Sequence, residues 1–402
     1  MSGCDTVFAA RRVVLPDGVG PACVAVTGGR IVAVTPFGAA PRATATVLLE
    51  SDEVLLPGLV DSHVHLQNPG HGDWEDLLSV TREALQGGVT TLVDMPVDSE
   101  PVTVDPPAVQ AKQAALRGRI FTDVGLWGGV VPGNLGSLGA LVGEGVLGFK
   151  AFMVSPGLDA FPPVGAAELR SALIELVPYR MPLLVHAEDD SGSEVLAVQA
   201  VVDAVLATGG RAHLVHVSDE ASLALIARAR GLGAQLTAET CPHYLVPPDL
   251  ELRTSPRVRG SVAAQALWCG LVDGVLDLVV SDHSPGDPGG ESGPPGVAAA
   301  HLRLPVTWTA MRERGLSLTD LVRWCCSGPA DLAALSAKGR IVVGADADLV
   351  AFAPDVETSV GQGRRPTPYD GMTLSGVPRR TWLRGIEAGD VPRGRLLRKE
   401  AS

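Results

Sequence analysis

Eight apolar stretches recur along this chain of 402 residues, and their spacing constrains the fold more than any other feature. Most of the segments between them carry a helical pattern. Alternating strand-like and helical segments are typical of an α/β protein, and eight such strands predict a (β/α)8 TIM barrel. The stretches are residues 59–66, 89–96, 122–130, 145–153, 182–189, 212–218, 236–244 and 276–285.

Both ends of the chain lie outside this pattern. Residues 1–56 carry short alternating runs with turn signals at Asp17-Gly18 and Gly28-Gly29, and residues 340–353 and 372–386 have the same β character. We therefore predict a barrel over residues 57–339, flanked by β segments at 1–56 and within 340–402. Length alone predicts two domains.

Six polar residues stand at the ends of five apolar stretches, where barrel enzymes carry their active sites. His63 and His65 are two positions apart in one strand, so their side chains point to the same side and can hold one ion. The same alternation places the other four inside the barrel mouth: Lys150, His186, His216 and Asp282. By this count His213 faces the opposite way, and we interpret it as a packed or hydrogen-bonded histidine.

A metal site explains the whole set of six residues. Each one alone has a structural explanation, because a histidine or aspartate that ends a strand is usually a satisfied polar group. As a set, the six residues lie in apolar sequence that would bury their charges unpaired, at a cost of several kcal/mol for each charge. The mixed nitrogen and oxygen donors suit zinc, with cobalt, manganese and iron as alternatives.

Lys150 is the least expected member of the set, because lysine is rare in this chain. Of the 32 basic residues only four are lysines, and Lys150 lies within an apolar strand. Burial would lower the pKa of its amine, and an amine can react with carbon dioxide to give a carbamate that bridges two cations. The alternative is a lysine held in a salt bridge.

Several motifs resemble the amidohydrolase superfamily over nearly the full length. The resemblance is to the cyclic amidohydrolase branch of allantoinases, dihydroorotases and dihydropyrimidinases or hydantoinases, and it is nearest to allantoinases. The motifs are Pro57-Gly-Leu-Val-Asp-Ser-His-Val-His65, Gly87-Gly-Val-Thr-Thr91, Gly148-Phe-Lys-Ala-Phe-Met153, Val185-His-Ala-Glu188, Val215-His-Val-Ser218, Glu239-Thr-Cys-Pro-His-Tyr244 and Ser281-Asp-His-Ser-Pro285.

The resemblance implies a fold, a site and a reaction. The two terminal segments would combine into a small β-sandwich beside the barrel, in a homodimer or homotetramer. His63, His65 and Asp282 would hold one ion and His186 and His216 the other, with carboxylated Lys150 bridging them. A hydroxide between the metals would attack a cyclic ureide, imide or lactam, and Asp282 would carry the proton.

The predicted substrate pocket departs from these relatives at three places. Gln67 stands where dihydroorotases have a carboxylate-binding arginine and is similar to some dihydropyrimidinase-like sequences. Asp98 replaces an asparagine typical of allantoinases, so it either accepts from a substrate N–H or cation or caps the following helix. Ser255 begins Ser-Pro-Arg where relatives have Ser-Pro-Pro, and Arg257 is either a pocket residue or a solvated loop residue. Gln67, Asp98 and Ser255 are the candidate substrate-binding residues.

Three further segments bear on the site. Residues 193–208 predict one helix that connects the fifth and sixth strands directly, where allantoinases typically carry an insertion. Loops 154–165 and 284–297 follow Lys150 and Asp282 and are candidate lids. Cys241, close to the predicted site, is interpreted as a packing residue.

Charge and hydropathy indicate the setting. With 45 acidic and 32 basic residues the net charge is −13, which argues against nucleic acid or an anionic membrane as a partner. There is no run of about 18 apolar residues and no signal-peptide pattern, so we expect a cytoplasmic protein with reduced cysteines.

Two other functions stay open at this point. The same site could close a ring by dehydrating a linear carbamoyl or amide acid. A non-catalytic scaffold with this fold is the other alternative, and the presence of all six candidate ligands disfavours it.

Overall fold

The computed structural model describes residues 3–72, 75–248, 251–285, 296–361 and 366–399. Its strands are β1 (Cys4–Leu15), β2 (Gly18–Thr27), β3 (Arg30–Pro36), β4 (Ala43–Leu48), β5 (Val54–Pro57), β6 (Leu59–Val64), β7 (Val89–Asp94), β8 (Asp123–Leu126), β9 (Gly128–Gly129), β10 (Phe149–Phe152), β11 (Leu183–His186), β12 (Ala212–Leu214), β13 (Leu236–Thr240), β14 (Leu278–Val279), β15 (Leu349–Ser359), β16 (Thr373–Leu383) and β17 (Ile386–Glu387).

Each of the eight apolar stretches contains a barrel strand, which confirms the predicted fold class. Strands β6 to β8 form one parallel sheet and β9 to β14 a second. Only Trp127 separates β8 from β9, so these two segments act as one barrel strand. A parallel bridge between Val64 and His283 closes the other junction. The carboxyl ends of all eight strands therefore open onto one face.

Strands from both ends of the chain form a single hydrogen-bonded sheet beside the barrel. Its order is β17-β16-β15-β5-β1-β2-β3, with β4 pairing in parallel with β1. Apolar residues of this sheet, among them Phe8, Val24, Leu349 and Trp382, bury a core of their own. The terminal segments thus combine into one unit beside the barrel, as the resemblance implied, and their strands belong to one hydrogen-bonded sheet.

The helices lie mainly between the barrel strands. They are α1 (Leu77–Gln86), α2 (Pro106–Leu116), α3 (Leu138–Gly143), α4 (Ala166–Leu176), α5 (Glu194–Thr208), α6 (Glu220–Gly231), α7 (Pro242–Leu245), α8 (Ser261–Val272), α9 (Arg303–Glu313), α10 (Leu318–Val322) and α11 (Gly328–Leu332). Helix α5 links β11 to β12 directly, as predicted, and the Ser193 hydroxyl caps it by accepting from Leu196 N. No helix in the described ranges is long and apolar enough to cross a membrane.

A buried cluster of charges joins the barrel to the terminal sheet. Lys338 Nζ lies 2.5 Å from Asp123 at the start of β8, and 2.9 and 2.7 Å from Asp346 and Asp348 just before β15. Arg384, just after the end of β16, also binds Asp123. Charges of both signs are paired in this cluster. The cluster therefore connects the amino-terminal end of barrel strand β8 to the terminal sheet.

Candidate metal centre

All six candidate ligands line one cavity of about 610 Å³ at the carboxyl ends of the barrel strands. His63, Lys150 and His186 lie within β6, β10 and β11, whereas His216 and Asp282 follow β12 and β14 by two and three residues. The structure therefore brings together every residue that the sequence assigned to a metal site.

His63, His65 and Asp282 form a compact group of donors. Asp282 Oδ1 lies 3.1 Å from Nε2 of His63 and 3.5 Å from Nε2 of His65, and the two Nε2 atoms are 3.3 Å apart. The three donors lie within 4.8 Å of one another. Two imidazoles and a carboxylate at this spacing could hold one divalent cation.

Lys150, His186 and His216 form the other side of the cavity. The rings of His186 and His216 have centroids 4.5 Å apart, and Lys150 Nζ lies 4.7 Å from the centre of the Phe152 ring. Among the described residues, Lys150 Nζ and His216 Nδ1 are buried with no hydrogen-bond partner. An unpaired buried polar group destabilises a fold by about 1–3 kcal/mol, so both atoms fit a site that receives cations and a carbamate.

The backbone is strained at three residues that line the cavity. Asp98, His216 and Asp282 have φ values of 20°, 40° and 50°, a left-handed region that side chains other than glycine rarely occupy. Such strain persists only where surrounding contacts enforce it, and it concentrates at functional sites. In this case it turns His216 and Asp282 into the mouth after their strands have ended.

The contacts of His213 show that its predicted orientation was wrong. His213 does not face away from the barrel: its Nε2 lies 3.0 Å from Glu239 Oε2, and Glu239 also contacts His63. The alternation of side chains along a strand does not extend to His216, because the left-handed backbone of His216 interrupts the strand geometry. The interpretation of His213 as a hydrogen-bonded residue is correct, since Nδ1 also lies 2.8 Å from Thr237 Oγ1.

Two carboxylates orient the first pair of histidines from behind. Nδ1 of His63 lies 2.5 Å from Glu239 Oε1, and Nδ1 of His65 lies 2.6 Å from Asp98 Oδ2. With Nδ1 as the donor, each ring presents its Nε2 lone pair to the cavity, which is the tautomer a metal requires. Glu239 had no role in the predicted site, although a glutamate within an apolar stretch is itself a signal of a buried carboxylate.

Asp98 does not cap the following helix, so that alternative is wrong. Helix α2 is capped by Asp105, whose carboxylate accepts from Ala108 N. The loop that carries Asp98 is instead braced by the buried Lys112, which donates to the carbonyl of Met95 and lies 2.7 Å from Asp94. Asp98 lines the cavity as predicted, but one of its oxygens is already engaged by His65.

Burial and nearby charges shift the pKa values of the site. Burial lowers the pKa of Lys150 to about 8, which raises the fraction of neutral amine near neutral pH. Burial alone would lower the pKa of His65, but the hydrogen bonds that it donates to the carboxylates of Asp282 and Asp98 raise it to about 9. Burial lowers the pKa of His216 well below its ordinary value. A cation must therefore displace a proton from His65.

The remaining residues predicted for the pocket are Gln67, Ser255 and Arg257. Gln67 lines the cavity, and within the described chain its buried Oε1 has no hydrogen-bond partner. Ser255 also lines it, but its hydroxyl donates to Glu188, whose Oε2 lies 3.2 Å from His186 Nε2. Arg257 is exposed and does not line this cavity, in agreement with a solvated loop residue.

Residues of both candidate lid loops form part of the cavity wall. Val154, Ser155, Pro156 and Leu158 of loop 154–165 line the cavity. From loop 284–297, Ser284, Gly296 and Val297 line it, and residues 286–295 lie outside the described part of the chain.

A parallel barrel with its polar residues gathered at the carboxyl ends of the strands defines a barrel enzyme, and comparison with known sequences gives its family. The family model described as "Amidohydrolase family" matches residues 54–387. The chain belongs to this family.

The chain is similar to curated allantoinases in sequence and to hydantoinases in structure. An allantoinase of Streptomyces avermitilis is 38% identical over 444 aligned positions that span 100% of both chains, and an allantoinase of Arabidopsis thaliana is 35% identical over 94% of this chain and 87% of the relative. Among solved structures, the L-hydantoinase (dihydropyrimidinase) from Arthrobacter aurescens superposes with a TM-score of 0.89 at 27% identity, covering 98% of this chain and 100% of the other.

Proposed function

We propose that this protein is a two-metal cyclic amidohydrolase that opens the ring of a cyclic ureide, with allantoin as the first substrate to test. The observation that carries the proposal is the cavity in which six nitrogen and oxygen donors converge, with Lys150 Nζ buried and unpaired among the described residues. Similarity to allantoinases over the whole chain supports this reaction class.

The donor set is suited to two divalent ions. His63, His65 and Asp282 would hold one ion, His186 and His216 the other, and a carbamate on Lys150 would lie between them. Zinc matches these ligands best, and cobalt, manganese and iron are alternatives. When bound, the ions would activate the attacking water and polarise the scissile carbonyl.

Asp282 is placed to move the proton. Its side chain is 16% exposed at the cavity, while Oδ1 faces the Nε2 atoms of His63 and His65. A carboxylate there can accept a proton from the attacking water and deliver it to the leaving ring nitrogen. Glu239 is too deeply buried to reach a substrate and would act only through His63.

The polar wall of the cavity suits a ring that carries N–H groups. Gln67 presents a buried carbonyl oxygen that accepts but cannot donate, and an unfilled acceptor favours a substrate N–H. Side chains such as Val97, Phe152 and Leu158 supply an apolar surface for the plane of the ring. A cyclic ureide offers both features, since its N–H groups lie at the edge of a flat ring.

The test is a substrate panel with defined metals. Zinc-, cobalt- and manganese-loaded protein would be assayed with allantoin, dihydroorotate, dihydrouracil, hydantoin and simple cyclic imides, in the directions of ring opening and ring closure. Selective opening of allantoin is the expected result. Activity only in the closing direction would instead assign a cyclase.

Metal analysis separates the enzyme from a scaffold. We expect two ions per chain and a carbamate on Lys150, detectable as an added mass of carbon dioxide in the native protein. A protein without ions and with an unmodified Lys150 would contradict the proposal. We also propose a homodimer or homotetramer, which light scattering in solution would test.

A further inference from the structure

A third group of potential ligands lies beside the proposed two-metal site. The Sγ atom of Cys241, a ring nitrogen of His243 and a carboxylate oxygen of Asp282 lie within 4.8 Å of one another. Cys241 is 0% exposed and His243 is 1% exposed. This group is distinct from the six predicted ligands except for Asp282, which belongs to both.

His243 gives an independent sign that a partner belongs here. Both of its ring nitrogens are buried, and neither has a hydrogen-bond partner in the ranges that the structure describes. A neutral imidazole has one donor and one acceptor, and buried polar atoms are nearly always satisfied. An imidazole that leaves both unused beside a thiol and a carboxylate has the surroundings of a metal ligand.

Local structure fixes the three donors at this spacing. Strand β13 ends at Thr240, and Cys241 has extended backbone just before the short helix α7, in which His243 is the second residue. Asp282 reaches the group from its left-handed position after β14. Because Asp282 Oδ1 faces His63 and His65, the carboxylate can be shared between neighbouring ions.

We propose that Cys241, His243 and Asp282 form a third, inhibitory site for zinc or a similarly thiophilic cation. The inference rests on the proposed function only in assigning proton transfer to Asp282. One sulfur, one nitrogen and one oxygen donor suit zinc, whereas magnesium and manganese prefer oxygen donors. On binding, the S–H bond breaks, a sulfur–metal bond forms and the proton passes to solvent, with no change of oxidation state.

Two properties make this an inhibitory site rather than a permanent one. The group offers only three protein donors, and one of them, the carboxylate of Asp282, also belongs to the group of His63 and His65. A third ion would therefore bind after the first two. Once there, it would occupy the carboxylate of Asp282 and reduce its capacity to accept a proton.

Cobalt provides a readout that does not depend on activity. A cobalt–thiolate bond gives a strong charge-transfer band in the near ultraviolet, and none of the six predicted ligands contains sulfur. We expect metal-free wild-type protein to bind three equivalents of cobalt, with the band developing at the third. Cys241→Ser should retain two equivalents and lose the band. His243→Gln should weaken the third ion by at least about tenfold, as lost ligands and their supports do elsewhere.

Matched variants and zinc inhibition complete the test. Cys269, an exposed cysteine on α8, serves as the control, and Cys269→Ser should keep the band. Excess zinc should reduce the turnover of wild-type protein relative to its rate with two equivalents, and Cys241→Ser should reduce this inhibition at least tenfold.

The results separate this site from the proposed function. Wild-type protein that binds two equivalents without a charge-transfer band overturns the third site, whether or not it opens rings. A band that persists in Cys241→Ser also overturns it. Conversely, a band at the third equivalent in a protein that opens none of the rings supports the site and contradicts the proposed reaction.

Discussion

The carboxylate of Asp98 lies 2.6 Å from Nδ1 of His65, while Nε2 of the same ring faces Asp282. Two observations explain why this contact is held. The φ angle of Asp98 is strained at 20°, and buried Lys112 anchors the carbonyl of Met95 in the same loop. Asp98 therefore fixes the orientation of a candidate ligand, and it also lines the cavity itself.

Replacing Asp98 by alanine should weaken the ion held by His65. Loss of such a supporting carboxylate typically lowers metal affinity by about 10- to 100-fold. Asp98→Asn keeps an acceptor for His65 and should lose less. Metal titration by calorimetry measures both, with Asp273→Ala on the exposed end of α8 as the control. Equal affinity in Asp98→Ala and wild type would show that Asp98 does not support His65.

Lys150→Ala should abolish binding of the paired ions, because the bridging carbamate cannot form. A short carboxylic acid, added in solution, should restore part of the activity by occupying the same space. Metal content and turnover would be measured together, and Lys399→Ala serves as a lysine control away from the cavity. Full activity in Lys150→Ala without any additive would rule out the bridging role.

Asp282→Asn should greatly reduce turnover even in the fraction of protein that keeps its ions. An amide cannot accept the proton from water, and positioned acid–base groups contribute about 10²–10⁴-fold to rate. The comparison of kcat with metal content separates this loss from a loss of ions. A variant that turns over at nearly the wild-type rate would require another proton acceptor.

Glu239→Gln should disturb the site without touching the substrate. Glu239 links Nδ1 of His63 to Nε2 of His213, and an amide can satisfy only one of these rings as an acceptor. We expect metal affinity to fall about 10- to 100-fold, with a small effect on KM once metal is saturating. Glu220→Gln, in the first turn of α6, is the matched control. An equal loss in both variants would mean that the effect is not local.

Lys338→Met should destabilise the junction between barrel and terminal sheet. Removing one partner of a buried ion cluster typically costs about 3–5 kcal/mol, because Asp123, Asp346 and Asp348 would remain. Urea unfolding followed by circular dichroism measures this free energy. A loss below about 1 kcal/mol, the value of an exposed pair, would contradict the role.

The same cluster predicts a pH dependence. Burial alone would lower the pKa of Lys338, but Asp348, Asp123 and Asp346 raise it above its ordinary value. A raised folded pKa means that the stabilisation is complete below the unfolded value of about 10.4 and decreases above it. Wild-type stability should therefore fall above that pH, and the fall should be smaller in Lys338→Met.

The sequence by itself predicted the barrel, the β character of both ends of the chain and six candidate residues for the barrel mouth, and the family resemblance implied that the two ends combine. Periodicity fixed the strands because buried parallel strands need continuous apolar runs, and their polar ends could be read as one face. The sequence pattern also predicted the single helix that connects β11 to β12 after His186. These features depend on local pattern, which one chain displays without any knowledge of its contacts.

Only the tertiary structure decided how those residues are supported. Glu239 is 176 positions from His63, and Asp98 is 33 from His65, so no local pattern pairs them. The orientation of His213 was misjudged because the left-handed backbone at His216 breaks strand alternation. The group of Cys241, His243 and Asp282 likewise exists only because β13 and β14 are neighbours in the closed barrel.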